Sequence, residues 1–262
     1  DDMFLDVPKK KQINGLWRLF HTSDDLHMEF NVQALMDQRT GGQNVKLFEK
    51  HGHALPPRLY QIQNDTRRLE AFGKIGYMGF DNPLQSVALI WGYTNHMQDG
   101  LFGDRLYNAH QQSGYANLLF QTPLSSDKKH NLNAGVNYQL DDFDEEFSDI
   151  NISRLEQQSS IFAEYDFSHT FNKEKGQSIG FIVGMRGDWL QTANFQKIIP
   201  SPRLNFKYNF NENLILRASG GRGMRMPNLL IENMRYMPGS REFFIDEVIM
   251  PEIAWNYGLN LV

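Results

Sequence analysis

Arg217, Ser219 and Arg225 fall on alternate positions of one stretch, and Arg186 and Asp188 do so in another. Charges spaced by two share one face of an extended chain. If that face is enclosed, these arginines are placed to contact a ligand or whatever else fills the interior. Arg222 falls on the opposite parity, so either a bulge shifts the register there or the strand has left its apolar surroundings. Downstream, "PNLLIENMRYMPGSREFFIDEVIM" and the strand end before it carry Met224, Met226, Met234, Met237 and Met250. Thioether sulfur suits a soft ion such as Cu(I). Methionine is also an adaptable apolar contact for a bulky ligand, or ordinary filler in a packed loop. "HGH" offers His51 and His53 as a metal pair, with His96 and His110 bordering the next loop. The H-x-H spacing enforces no geometry, and the further partners of a metal site are not visible in it. The run "DDFDEEFSD" (141–149) supplies hard oxygen ligands but lacks the glycine turn of a calcium loop, so it reads as a solvated acidic loop.

No arrangement for covalent or acid–base catalysis stands out. There is no G-x-S-x-G, no H-E-x-x-H and no cysteine at all. "GGRG" (220–223) is followed by neither a helix pattern nor a Lys-Ser/Thr pair, which removes a phosphate-loop reading. The chain reads as a non-enzyme, and no cofactor is implied.

The elements that would position these residues are strands. In "NLNAGVNYQL" Leu132, Ala134, Val136, Tyr138 and Leu140 alternate with Asn131, Asn133, Gly135, Asn137 and Gln139. "LHMEFNVQALM", "SVALIWGY", "SIGFIVGMRGDW" and "RLNFKYNF" repeat the pattern, and a period of two means half-exposed strands. About eleven are expected, at 10–22, 26–38, 67–80, 86–97, 108–122, 130–140, 155–171, 178–191, 200–210, 213–226 and 249–262. Most exceed the usual globular length of about five or six and match the roughly 9–11 residues of a tilted membrane strand. Alternate connections are short (22–25, 81–85, 123–129, 172–177, 211–213). The others are mostly long (39–66, 98–107, 141–154, 227–248), with a short one near 192–199. That asymmetry is the mark of a transmembrane antiparallel β-barrel. The greasy faces would then meet lipid, with Trp17, Phe80, Tyr93, Tyr138, Trp189 and Phe210 near the interfaces.

The totals agree. Net charge is −5 and sequence pI about 5.9, which leaves no basic footprint for nucleic acid. Mean hydropathy is −0.52 despite 19 Phe, 10 Tyr and 4 Trp. No run approaches the roughly 18 apolar residues of a spanning helix.

The region from about 184 onward carries a resemblance. "GMRGDW", "SPRLNFKYNFNENLILRASGGRGMRMPNLLIEN" and "PEIAWNYGLNLV" resemble the C-terminal part of the barrel in TonB-dependent outer-membrane receptors. The likeness is strongest to those of Bacteroidetes-type bacteria. "DVPKKKQINGLWRLF" resembles one of their mid-barrel strands. The resemblance implies a barrel of about 22 strands around an N-terminal plug, with this chain (1–262, no internal boundary) supplying part of the wall. The signal peptide, plug and final strands are expected to lie outside it. It further implies a bacterial outer-membrane location, energy from the TonB complex through the plug, and a cargo such as an iron-siderophore, cobalamin or another metal complex. A surface lipoprotein over the loops is a further partner that such receptors can have. Haem fits less well, because "MRMP" (224–227) and "MPEI" (250–253) replace the F/Y-R-A-P and N-P-D-L of haem receptors. A passive porin-like channel, or a soluble β-sandwich that binds glycans, would also accommodate the alternating strands.

Overall fold

A computed structural model describes residues 3–245 and 248–262. Asp246 and Glu247, inside the methionine-rich loop, lie outside the described residues. Eleven strands form one antiparallel sheet in which each pairs only with its chain neighbours. They are β1 (Lys9–Thr22), β2 (Leu26–Gly42), β3 (Gln61–Tyr77), β4 (Ser86–Phe102), β5 (Arg105–Pro123), β6 (His130–Phe147), β7 (Ile150–Asn172), β8 (Gln177–Gln191), β9 (Gln196–Asn209), β10 (Ile215–Arg225) and β11 (Glu252–Leu261). β1 and β11 have one partner each, and every residue of both is exposed.

Among the described residues there is no second layer. Val136, Val183, Leu204 and Ile161 stay 48%, 48%, 49% and 67% exposed on the apolar face. Each such side chain left in water forgoes about half of the roughly 1.5–3 kcal/mol that full burial supplies, against a total stability of about 5–15 kcal/mol for a typical domain. A contiguous surface of this kind needs an apolar solvent, and a β-sandwich is ruled out. Register places the same parity side by side across the sheet. Val136 faces Leu118 and Ile161, and Val183 faces Tyr165 and Leu204. Trp17, Tyr93, Tyr138 and Trp189 share this face. The Tyr93 hydroxyl donates to Gln112 Oε1 (2.9 Å) and that of Tyr138 to Gln157 Oε1 (3.2 Å), the half-greasy, half-wet use of tyrosine at an interface. Phe80 and Phe210 lie instead in turns at the opposite end.

Glycines let aromatics lie flat on the sheet. A Cβ on Gly92 would sit 2.5 Å from Tyr115 Cε1, and one on Gly135 would sit 2.7 Å from Phe162 Cζ. Each aromatic is the register partner of its glycine.

Two expected loops are strand. β4 and β5 run on to a two-residue turn at Gly103 (φ +69) and Asp104, so 98–107 is a hairpin tip. β6 and β7 do the same around Ser148 and Asp149, so the acidic run 141–149 belongs mostly to β6. The reason is a change of phase. In the belt of β6 the apolar residues share a face with Val136. Beyond Leu140 that face carries Asp142, Asp144 and Glu146, and the other carries Phe143, Glu145 and Phe147. Where the outer solvent changes from lipid to water, the apolar side chains switch to the inner face. Arg67 and Asp99 make an exposed ion pair (2.6 Å) on the outer face at this level. Among the described residues, only the segments between Gly42 and Gln61 and between Arg225 and Glu252 are long connections at this end.

Candidate functional site

The switch in phase builds a hydrophobic seat on the polar, inner side of the sheet. Phe102, Tyr107 and Phe147, from the tips of the β4–β5 and β6–β7 hairpins, bury Leu230 and Met237 of the β10–β11 loop, with Ile62, Ile152, Met234 and Phe243 around them. The loop thus crosses from β10 back over β3–β7 as a strap. Its first turn is a short helix (Leu229–Glu232), capped by Asn228, whose side chain accepts from the Ile231 amide (3.1 Å). A 3-10 turn over Met234–Tyr236 follows. At its far end the Tyr60 hydroxyl donates to the Pro238 carbonyl (2.6 Å), and Arg105 Nη1 donates to the Arg241 carbonyl (2.6 Å).

Beneath the strap lies a buried carboxylate. Glu145 accepts from the Tyr107 hydroxyl (3.1 Å), from Asn228 Nδ2 (3.2 Å) and from Arg154 Nη1 (3.1 Å). Arg154 also pairs with Glu156 (2.8 Å) and sits over the Phe143 ring (4.1 Å to its centre). A buried charge is tolerated only when paired and hydrogen-bonded in this way. Burial, reinforced by the Glu145 charge, pushes the Tyr107 phenol well above its ordinary range, so it stays a donor. Burial also raises the Tyr60 phenol.

Lower on the same face, Asp188 is 3% exposed and accepts from Arg186 Nε (2.6 Å), Ser160 Oγ (2.7 Å) and Gln158 Nε2 (2.9 Å). Arg203 pairs with Glu164. Arg222 resolves its own parity problem. β9–β10 pairing ends at Arg203↔Gly221, next to Pro202 and Pro200, which have no N–H to give. The Arg222 guanidinium turns to the Pro200 carbonyl (3.1 Å) there. Arg186, Arg203, Arg222 and Glu164 line a cavity of about 300 Å³.

The candidates named from sequence distribute as follows. Arg186, Arg217 and Arg225 all face the polar side. Arg186 is held by Asp188, and Arg225 by Glu232 (3.0 Å) and Glu252 (2.7 Å). Arg217 stands apart, near the short-turn end, opposite Lys207 and Asn260. Met234 and Met237 share the strap's core, where Met237 is fully buried. Met226 lines a neighbouring cavity of about 710 Å³ with Arg154, Glu156 and Phe243. Met224 departs from the group: its register partner is Ile253 on the apolar face. The methionines therefore do not converge. His51 ends a short helix between β2 and β3 (Val45–His51), and His53 is exposed beyond the cap Gly52. Among the described residues no group of three or more His, Cys, Asp or Glu side chains gathers as a metal site. Glu145, Arg154, Tyr107 and Asn228 were missed. The signal for the first three was the reversed alternation after Leu140, and nothing local marks Asn228 as their partner.

A one-layer antiparallel wall, greasy on one face and polar on the other, with a strap at one end, is the architecture of a membrane β-barrel wall. The family model "TonB dependent receptor-like, beta-barrel" matches residues 33–261, and the chain belongs to that family. No curated protein matches. Among solved structures, the FpvAI–pyocin S2 complex aligns with TM-score 0.63 at 10% identity, over 97% of this chain and 39% of that one. The ferric citrate transporter FecA in its unliganded form aligns with TM-score 0.53 at 11% identity, over 97% and 41%. These share the fold, and the present chain spans about two fifths of their length.

Proposed function

We propose that this chain forms part of the wall of a bacterial outer-membrane receptor that binds a scarce nutrient and imports it with energy from the TonB complex. The cargo class is an iron-siderophore, cobalamin or another metal complex. Family membership supports the transport reading, and FecA, similar in fold, is by its name a transporter of ferric citrate. The observation that favours a receptor over a passive channel is the strap. A loop anchored on the inner wall by Leu230, Met237 and the Glu145–Asn228 contact stands in the way of free diffusion at that end. The strap end is then the cell exterior, the short-turn end the periplasmic rim, and outer-membrane lipid the solvent of Val136 and Val183. The Bacteroidetes-type assignment rests on the motifs of the 184–262 region, and a lipoprotein over the loops belongs to the same reading.

The test is mass spectrometry, for metals and for small molecules, on the complete receptor purified from its host, together with planar-bilayer conductance. Retention of one metal complex and a closed bilayer record are expected. Steady conductance of unrelated solutes, with nothing bound, would make it a channel.

A further inference from the structure

Lys207 and Arg217 face each other directly across β9 and β10 on the polar side, in one cross-strand row that reads Ser168, Gly180, Lys207, Arg217, Asn260. Like charges directly opposed in a sheet are destabilising, yet among the described residues neither cation is in an ion pair or a side-chain hydrogen bond. The row above it runs from Asp166 to Gly258 and includes Asn205 and Ser219. Asp166 is the one carboxylate of the two rows, and it lies beyond ion-pair distance of either cation. Both rows line a single cavity of about 620 Å³, within the size range of small-molecule sites. Small neighbours (Gly180, Ser168, Ser219, Gly258) leave the two long cations standing into open space.

We propose that Lys207 and Arg217 form a two-point seat for a carboxylate, low on the inner wall near the short-turn end. Arg217 supplies a planar fork and Lys207 a point charge, which together suit one carboxylate approached from two sides. The carboxylate comes either from an acidic side chain of polypeptide filling the barrel or from an acidic small molecule in the lumen. The site depends on the polar face being enclosed, not on which nutrient the receptor carries.

Zero-length carbodiimide coupling on the complete receptor separates the sources, because it joins the Lys207 amine to a touching carboxylate as an amide with loss of water. Peptide mass spectrometry that finds Lys207 joined to an acidic residue outside positions 1–262 identifies polypeptide. Without that product, calorimetric binding of citrate that weakens about tenfold or more in Lys207→Gln/Arg217→Gln identifies a small molecule. The single variants Lys207→Gln and Arg217→Gln add a readout independent of either source. Loss of thermal stability in the complete receptor is expected if the seat is filled. A gain in stability, with no cross-link and no dependence of citrate binding on the two residues, overturns the site.

Discussion

Asn228 reaches back 83 residues to Glu145, its Nδ2 lying 3.2 Å from Oε1 and 3.3 Å from Oε2 of a carboxylate that is 2% exposed. The same side chain caps the strap's first turn through its oxygen. One residue therefore starts the turn and ties it to the wall. Asn228→Ala removes both bonds and leaves Glu145 short of a donor, at a cost of about 1–3 kcal/mol for the unsatisfied group. The strap of the variant should be cut by protease roughly tenfold faster or more, while the barrel band on a gel keeps its mobility.

Met237 is fully buried among Phe102, Tyr107 and Phe147. Met237→Ala should release the strap at a local cost of about 2–5 kcal/mol. Met224→Ala, on the apolar face, should leave protease sensitivity of the strap unchanged. Equal effects from the two would show that the seat does not hold the loop.

The two faces of β6 differ in solvent. Val136→Arg should cost about 2–4 kcal/mol in bilayer folding if it lies near the midplane. Asn137→Arg, one residue on and facing inward, should cost far less. Reversible unfolding of the complete receptor in lipid vesicles measures both.

Gly135 has no room for a side chain, with the Leu118 carbonyl 2.4 Å and the Phe162 ring 2.7 Å from a Cβ. Gly135→Val should destabilise by about 1–3 kcal/mol, and pairing it with Phe162→Ala should recover only the ring's share. The same unfolding measurement on the single and double variants gives the coupling.

Asp127 lies in the β5–β6 turn. The Ser125 hydroxyl, then the Lys129 amide (3.2 Å), hold its carboxyl down to about 2. Because the folded value is lowered, the contribution to the turn is present above the ordinary carboxylate range near 4 and is lost as pH falls toward 2. Protection of the Lys129 amide against hydrogen exchange, taken relative to its intrinsic rate at each pH, should fall over that window. Asp127→Asn should abolish the pH dependence of that protection.

The alternation of Leu132 to Leu140, and its repeats, was enough to place all eleven strands and to separate a greasy face from a wet one, because a period of two is a local property of the chain. It placed Arg186, Arg217 and Arg225 on the wet face for the same reason. Strand ends were harder. After Leu140 the outer solvent becomes water and the alternation changes phase, so Phe143 and Phe147 look like a break when they continue the strand. Register decided what remained. Arg222 covers the gap left by two prolines on the neighbouring strand, Lys207 meets Arg217 across a ladder, and Glu145 finds its hydrogen-bond donors up to 83 positions away. A one-dimensional pattern records which solvent each residue prefers. Which charges meet depends on how the strands slide against one another and where a long loop folds back, and only the assembled sheet specifies that.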